Sequence, residues 1–227
     1  MNVRAVKTRV FEEHEDLFGF IQAHVPTLKE GSVLVVTSKI VALSEGRTAS
    51  MEDEAAVIRA ESVWRKKTTL GHVTLKDGIL MWNAGVDSSN ANGKIILLPK
   101  DSFAAAKKIR LKMLRHYNIR NLGVIVADSR VMPLRAGVVG IALGYAGFKG
   151  LRDYRGQKDI FSRKMQYTQT NLADSLASAA TSLMGEGNEQ QPLCIIEGAP
   201  VTFVQRVQRG ELHVNITDDM YGPLMKF

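Results

Sequence analysis

Apolar and polar positions change period along this chain, and the changes mark its elements. Ser32 to Ala42 is rich in Val and Ile, and reads as a buried strand or a strand followed by a turn. Glu52 to Lys66 reads as a polar helix. Ile79 to Trp82 and Ile95 to Leu98 are short apolar runs that predict strands. Pro99-Lys100-Asp101-Ser102 combines a turn with a helix start signal. The helix that follows places Phe103, Ala106, Ile109, Met113 and Tyr117 on one face. Leu122 to Asp128 and Val138 to Leu143 predict two further strands. Gly137, Gly140, Gly144 and Gly147 around the second of these point to bulges or close backbone packing. Residues 148–167 look irregular and charged. A helix over Asn171 to Met184 turns Leu172, Leu176, Ala180 and Leu183 inward. Leu193 to Glu197 and Leu212 to Ile216 predict the last strands.

This order mixes helices and strands without regular βαβ alternation, so an α+β fold is expected over a doubly wound sheet. No linker or repeat divides the chain. One domain over 1–227 is expected, with 99–147 as a candidate subdomain inserted between its halves.

Composition narrows the class. The chain has 227 residues, 45% of them hydrophobic, which is ample for a core. No run is long enough to span a membrane, and the charged N-terminus lacks the apolar centre of a signal peptide. A cytoplasmic location is therefore expected. The single cysteine, Cys194, sits in an apolar strand and reads as buried. The net charge of +7 suits either an anionic small substrate or a nucleic acid. Lys107, Lys108, Arg110, Lys112, Arg115 and Arg120 crowd one helix and its exit. Their plain reading is a solvated face, because no aromatic residues interleave with them as a single-strand-binding surface requires.

The familiar phosphate and metal signatures are missing: there is no G-x-x-x-x-G-K-[ST], no G-x-G-x-x-G after a strand and no H-E-x-x-H. The chemistry lies instead in two oxygen-rich strand ends. One is Trp82-Asn83-Ala84-Gly85-Val86-Asp87-Ser88-Ser89-Asn90; the other is Asp128-Ser129 after the apolar run Leu122 to Ala127. Asp87 and Asp128 are the candidate metal carboxylates, since magnesium or manganese takes carboxylate oxygens together with phosphate oxygens and water. Turn chemistry is the plain alternative for both, because Asp and Asn cap turns constantly.

The wording of these segments adds to that reading. Thr37-Ser38-Lys39-Ile40-Val41, Ser44-Glu45-Gly46-Arg47 and Asn83 to Asn90 are followed by Asp128-Ser129-Arg130 and Pro133-Leu134-Arg135-Ala136-Gly137. Gly140 to Gly147, Asp153-Tyr154-Arg155-Gly156, Asp159 and Met184-Gly185-Glu186 complete the series. In this order they resemble the gamma-glutamyl ligase family that adds glutamate to the precursor of the deazaflavin coenzyme F-420. The resemblance runs from about residue 8 to 198, and the strings around Asn83–Asn90 and Asp153–Asp159 are its most specific parts.

The resemblance implies a two-part α+β fold, a homodimer, and an enzyme that uses GTP (or ATP), a divalent cation and L-glutamate. It implies activation of an acceptor carboxylate as an acyl phosphate, the acceptor being the deazaflavin precursor or a folate. Residue by residue, it makes Asp87 and Asp128 candidate catalytic and metal residues, Ser129 a metal ligand in place of the usual threonine, and Glu186 one in place of a glutamine. Ser38, Lys39 and Asn90 match nucleotide-contacting positions, and Thr8 to Phe11 a further one. Arg47, Arg135 and Arg155 are candidates for substrate carboxylates, which guanidinium forks suit, with ion pairs to Glu45, Asp153 or Asp159 as the alternative. One departure stands out. The family often reads Ser-Lys-Ile-Val-Ser-Lys-x-Glu-Gly-Arg, and the second lysine is here Leu43. Arg135 or Arg155 could replace the missing charge. A catalytically silent nucleotide-binding homologue and a basic nucleic-acid-binding module remain the competing readings.

Overall fold

The structure is a computed structural model that describes residues 1–225. In chain order the elements are β1 (Asn2–Val6), α1 (Leu17–His24), β2 (Ser32–Thr37), α2 (Ser38–Ser44), β3 (Thr48–Ser50), α3 (Glu54–Glu61), β4 (Trp64–Thr68), β5 (Gly71–Lys76), β6 (Ile79–Trp82) and β7 (Lys94–Ile96). Then come α4 (Ser102–Tyr117), β8 (Leu122–Val131), β9 (Val138–Ala146), β10 (Leu151–Asp153), β11 (Gln169–Asn171), α5 (Leu172–Met184) and β12 (Leu193–Glu197).

A five-stranded mixed sheet in the order β1-β12-β2-β8-β9 forms the centre. Only β2 and β8 are parallel, pairing Ser32 with Leu122 through Thr37 with Ala127. Alternation along these strands divides the core in two. Leu34, Val36, Val124 and Val126 face α1 and α4, meeting Phe20, Ile21, Ala106, Ile109 and Met113. Val33, Val35, Ile125 and Ala127 face the other way, onto Ala173, Leu176, Ala177 and Ala180 of α5. Helices thus cover both faces of one sheet, and the fold is α+β as expected. The second half of the 99–147 segment supplies two of the five central strands. Small separate sheets are carried by 48–96, with the β4-β5-β6 meander and the β3-β7 ribbon, and by the β10-β11 pair.

Caps set the helix boundaries. Asp101 Oδ1 accepts from Ala104 N at 2.8 Å to start α4, and Asn118 ends it in the left-handed conformation with φ 53°. Asn171 Oδ1 accepts from Asp174 N at 3.0 Å to start α5. In α5 the inward set is Leu172, Leu176, Ala180 and Met184; Leu183 points to solvent, one residue off the expected stripe. The glycine-rich strand β9 carries a bulge opposite Val126/Ala127. The extra residue changes its alternation, so that Ala142 and Tyr145 reach the same core. Gly144 is required there: a Cβ would lie 2.4 Å from the backbone of Ser102 and Phe103.

Several expectations change. The polar helix over 52–66 stops at Glu61, and Trp64 to Thr68 pairs antiparallel with Gly71 to Leu75, a tertiary pairing that local polarity does not reveal. The Val/Ile run from Ser32 divides at Thr37 into β2 and α2. Leu212 to Ile216 is not a strand: it pairs with no strand among the described residues, and its backbone enters a turn in which His213 N donates to Gly210 O at 3.0 Å. Arg110 leaves the solvated basic face of α4. It is buried, and its Nε donates to Leu122 O at 2.8 Å. Cys194 is buried in β12, and burial pushes its thiol up to about 11, away from nucleophilic chemistry. No helix among the described residues is long and apolar enough to cross a membrane.

Candidate active site

The C-terminal ends of the parallel strands β2 and β8 open onto a cavity of about 1040 Å³. Five stretches wall it: Thr8–Phe11, the start of α2, the segment 81–92, the end of β8 with the start of β9, and 184–192. Lys39, Asp87, Asn90, Asp128, Ser129 and Glu186 all line this one cavity.

Each side chain is placed by its element. The β2-to-α2 break at Thr37 puts Ser38 and Lys39 on the first turn of a helix beside the end of β8. Ser38 is buried, and its hydroxyl donates to Asp128 Oδ1 at 3.0 Å. Asp87 follows an unusual turn. Asn83, Ala84 and Gly85 are consecutively left-handed, with φ of 48°, 56° and 72°. Such backbone persists only where its surroundings hold it. Here Asn83 Oδ1 accepts from His72 N at 2.8 Å, and Ala84 N donates to Thr74 Oγ1 at 2.7 Å. Beyond the turn, Asp87 exchanges two backbone hydrogen bonds with Ile96, of 3.0 and 2.8 Å. The carboxylate of Asp87 is therefore presented from a rigid base.

The charges are mutually arranged. Lys39 Nζ lies 2.7 Å from Asp87 Oδ2 and 2.8 Å from Ser89 Oγ. Burial alone would raise the Asp87 carboxyl, but Lys39 and the Ser89 backbone N–H and hydroxyl outweigh it and hold Asp87 below the usual carboxylate range. Asp128 goes the other way. Burial raises it from 3.8 to about 6; the Ser38 hydroxyl opposes this, and the nearby Asp87 charge adds to it. Ser129 Oγ donates to Glu186 Oε1 at 2.5 Å. Asn90 Nδ2 donates to Gly187 O at 3.1 Å, which ties the Asp87 loop to the 184–192 wall.

Among the described residues no three His, Cys, Asp or Glu side chains gather into a ready-made cation cage. The donors present still fit magnesium or manganese, which take one or two carboxylates from protein and fill the remaining positions with phosphate oxygens and water. Asp87 and Asp128 with the Ser129 hydroxyl and Glu186 are such a set. A carboxylate raised by burial and by a second carboxylate is also what a cation would stabilise.

The three candidate arginines lie elsewhere. Arg47 bonds to Glu61 Oε2 at 2.8 Å and Leu98 O at 3.0 Å. Its partner is Glu61, while Glu45 accepts from Lys100 N. Arg135 is exposed in the turn between β8 and β9. Arg155 is clamped to Asp153, with Nη2 2.6 Å from Oδ2, beside a second cavity of about 590 Å³. None of the three lines the large cavity. The arginines that do are Arg9 and Arg130. Arg130 directly follows the Asp128-Ser129 pair, so strand alternation could have pointed to it. Leu43 also lines the cavity, and it packs against the core beside Ala42 and Ile96.

Comparison with known proteins identifies the family. Residues 68–198 match the family model F420-0:Gamma-glutamyl ligase. A protein of Archaeoglobus fulgidus named coenzyme F420:L-glutamate ligase is 32% identical over 213 residues, 85% of each chain. Its namesake in Methanopyrus kandleri is 33% identical over 193 residues, covering 75% of this chain and 76% of that one. One in Methanococcus maripaludis reaches 43% identity over 128 residues, 56% of this chain; over that stretch the chain spans about half, 51%, of the relative's length. With the family model matched through both acidic strand ends and relatives aligned over most of the chain, this chain belongs to the F420-0:gamma-glutamyl ligase family.

Proposed function

We propose that the protein is a nucleotide-dependent gamma-glutamyl ligase that joins L-glutamate to a carboxylate acceptor through an acyl phosphate. The observation that carries this reading is the convergence of Asp87, Asp128 and Lys39, from three distant parts of the chain, on one cavity. In the reaction, an acceptor carboxylate oxygen attacks the terminal phosphorus of GTP or ATP and the nucleoside diphosphate leaves. The glutamate amine then attacks the acyl carbon, loses a proton, and phosphate departs as the amide forms.

The barrier to such a transfer falls mainly through positioning and through neutralising charge on the phosphoryl oxygens. Asp87, Asp128, Ser129 and Glu186 would hold magnesium or manganese, which supplies positive charge to the phosphates. Lys39 adds a cation at the same place, and Ser38 keeps the Asp128 carboxylate ionised and oriented. Asn90 braces the loop against the 184–192 wall. The acceptor is a deazaflavin coenzyme F-420 precursor or a folate, and the enzyme works as a cytoplasmic homodimer.

The test is incubation with GTP or ATP, magnesium or manganese, L-glutamate and a panel of deazaflavin and folate acceptors, followed by mass spectrometry. A glutamyl adduct with release of nucleoside diphosphate and phosphate is expected. Asp87→Ala and Asp128→Ala should each abolish it while circular dichroism stays native. Full activity in either variant, or no adduct under any condition, overturns the reading.

A further inference from the structure

Among the described residues three cations line the large cavity: Arg9, Lys39 and Arg130. Two already have carboxylate partners, Arg9 with Glu15 and Lys39 with Asp87. Arg130 has none. Its Nε is buried and lacks any hydrogen-bond partner among the described residues. A buried donor without an acceptor is costly, and more so on a charged group. A native fold retains one where something else supplies the acceptor.

The placement narrows what that is. Arg130 lies two residues beyond Asp128 on β8, so both side chains leave the same face, roughly 7 Å apart along the strand. Ser129, between them, is engaged with Glu186 through its hydroxyl. The backbone is fixed at this point by pairing of Arg130 with Val139 and of Val131 with Val138. The guanidinium is therefore held on a rigid strand, one step past the acidic cluster, with its donors free.

We propose that Arg130 is the receptor for an oxyanion of the bound substrates, a carboxylate or a phosphoryl group, seated immediately beyond Asp128. A planar fork with open donors suits either anion. Leu43 leaves its part of the wall uncharged and Lys39 of α2 is already paired with Asp87, so among the described residues Arg130 is the lining cation without a carboxylate partner. The name of the anion rests on the ligase reading; the role of the arginine does not.

The experiment is calorimetric titration of the full chain with inorganic pyrophosphate, L-glutamate and magnesium·GTP, for wild type, Arg130→Gln and Arg130→Lys. Lys107→Gln, exposed on α4, controls for a bare change of net charge. Arg130→Gln should weaken at least one probe tenfold or more, Arg130→Lys should recover only part of that, and Lys107→Gln should change nothing. Loss confined to pyrophosphate and magnesium·GTP identifies a phosphoryl group; loss confined to glutamate identifies a carboxylate. Equal affinities in wild type and Arg130→Gln overturn the proposal, as does a wild type that binds none of the three. A wild type that binds these anions through Arg130 yet forms no glutamyl adduct refutes the ligase reading alone.

Discussion

The Ser38 hydroxyl donates to Asp128 Oδ1 at 3.0 Å, joining the start of α2 to the end of β8 across 90 residues of chain. That bond is the main protein contact favouring the ionised form of a carboxylate that burial pushes up to about 6. Ser38→Ala should push Asp128 higher still. A hydrogen bond to a charged group contributes about 1.5–3 kcal/mol, so nucleotide affinity in the presence of magnesium should fall about tenfold or more. A titration showing unchanged affinity would separate Ser38 from the site.

The same carboxylate should make ligand-free protein less stable as pH rises. Its folded value lies above its unfolded value, so the stabilisation is complete below about pH 4 and lost through about pH 6. Asp128→Asn removes this dependence. At pH 8 without ligands the variant should melt higher than wild type while making no adduct. Thermal melts from pH 4 to 8 check the difference, which should close toward the acid end.

Glu61 ties Arg47 and Lys76 together, at 2.8 and 2.7 Å, with all three side chains mostly sheltered. Burial raises the Glu61 carboxyl, but the two cations outweigh it and hold it below 4.5. The pair's contribution is thus present above about pH 4.5 and lost as the pH falls through the lower folded value. Glu61→Gln should cost about 1–3 kcal/mol at pH 7, less than for a fully buried pair. The gap from wild type should shrink below pH 4 in denaturant titrations.

Leu43→Lys tests the missing family cation. Leu43 is half-buried on the cavity wall, and a lysine stem can lie over the same apolar neighbours while its ammonium reaches the cavity. Affinity for GTP or ATP should rise about 3- to 10-fold, as one added charge contact would give. No change in either nucleotide would mean that position 43 does not face the phosphates.

Gly144→Ala should be strongly destabilising, because the added carbon would meet backbone of Ser102 and Phe103 at 2.4 Å, and neither can rotate away. Overpacking of this kind typically costs about 1–3 kcal/mol. Chemical denaturation should register the loss, with the slope unchanged.

Much of this molecule is legible in its sequence, and the reasons are local. Asp101 and Asn171 announce α4 and α5 because a cap acts on the next turn of its own helix. The Val and Ile runs of β2, β8 and β12 reveal buried strands, since both faces of a covered sheet must be apolar. Asp87 and Asp128 stand out in the sequence for the same reason, since each sits in a contiguous oxygen-bearing run, although Asp87 lies in the connection between β6 and β7 and not at a strand end. Other features depend on what arrives from far along the chain. Trp64 to Thr68 is a strand only because Gly71 to Leu75 pairs with it. Arg47 and Arg155 read as carboxylate receptors until tertiary packing brings Glu61 to one, and the folded 153–155 turn closes Asp153 on the other. For Arg130 the sequence offers only its place after Asp128-Ser129, and it takes the cavity wall to leave its Nε buried without a partner among the described residues. Residue types and their spacing decided the fold class and the family to which the chain belongs; which cations are left without an ion-pair partner was decided by long-range packing, because an ion pair depends on distance in space and not on separation in sequence.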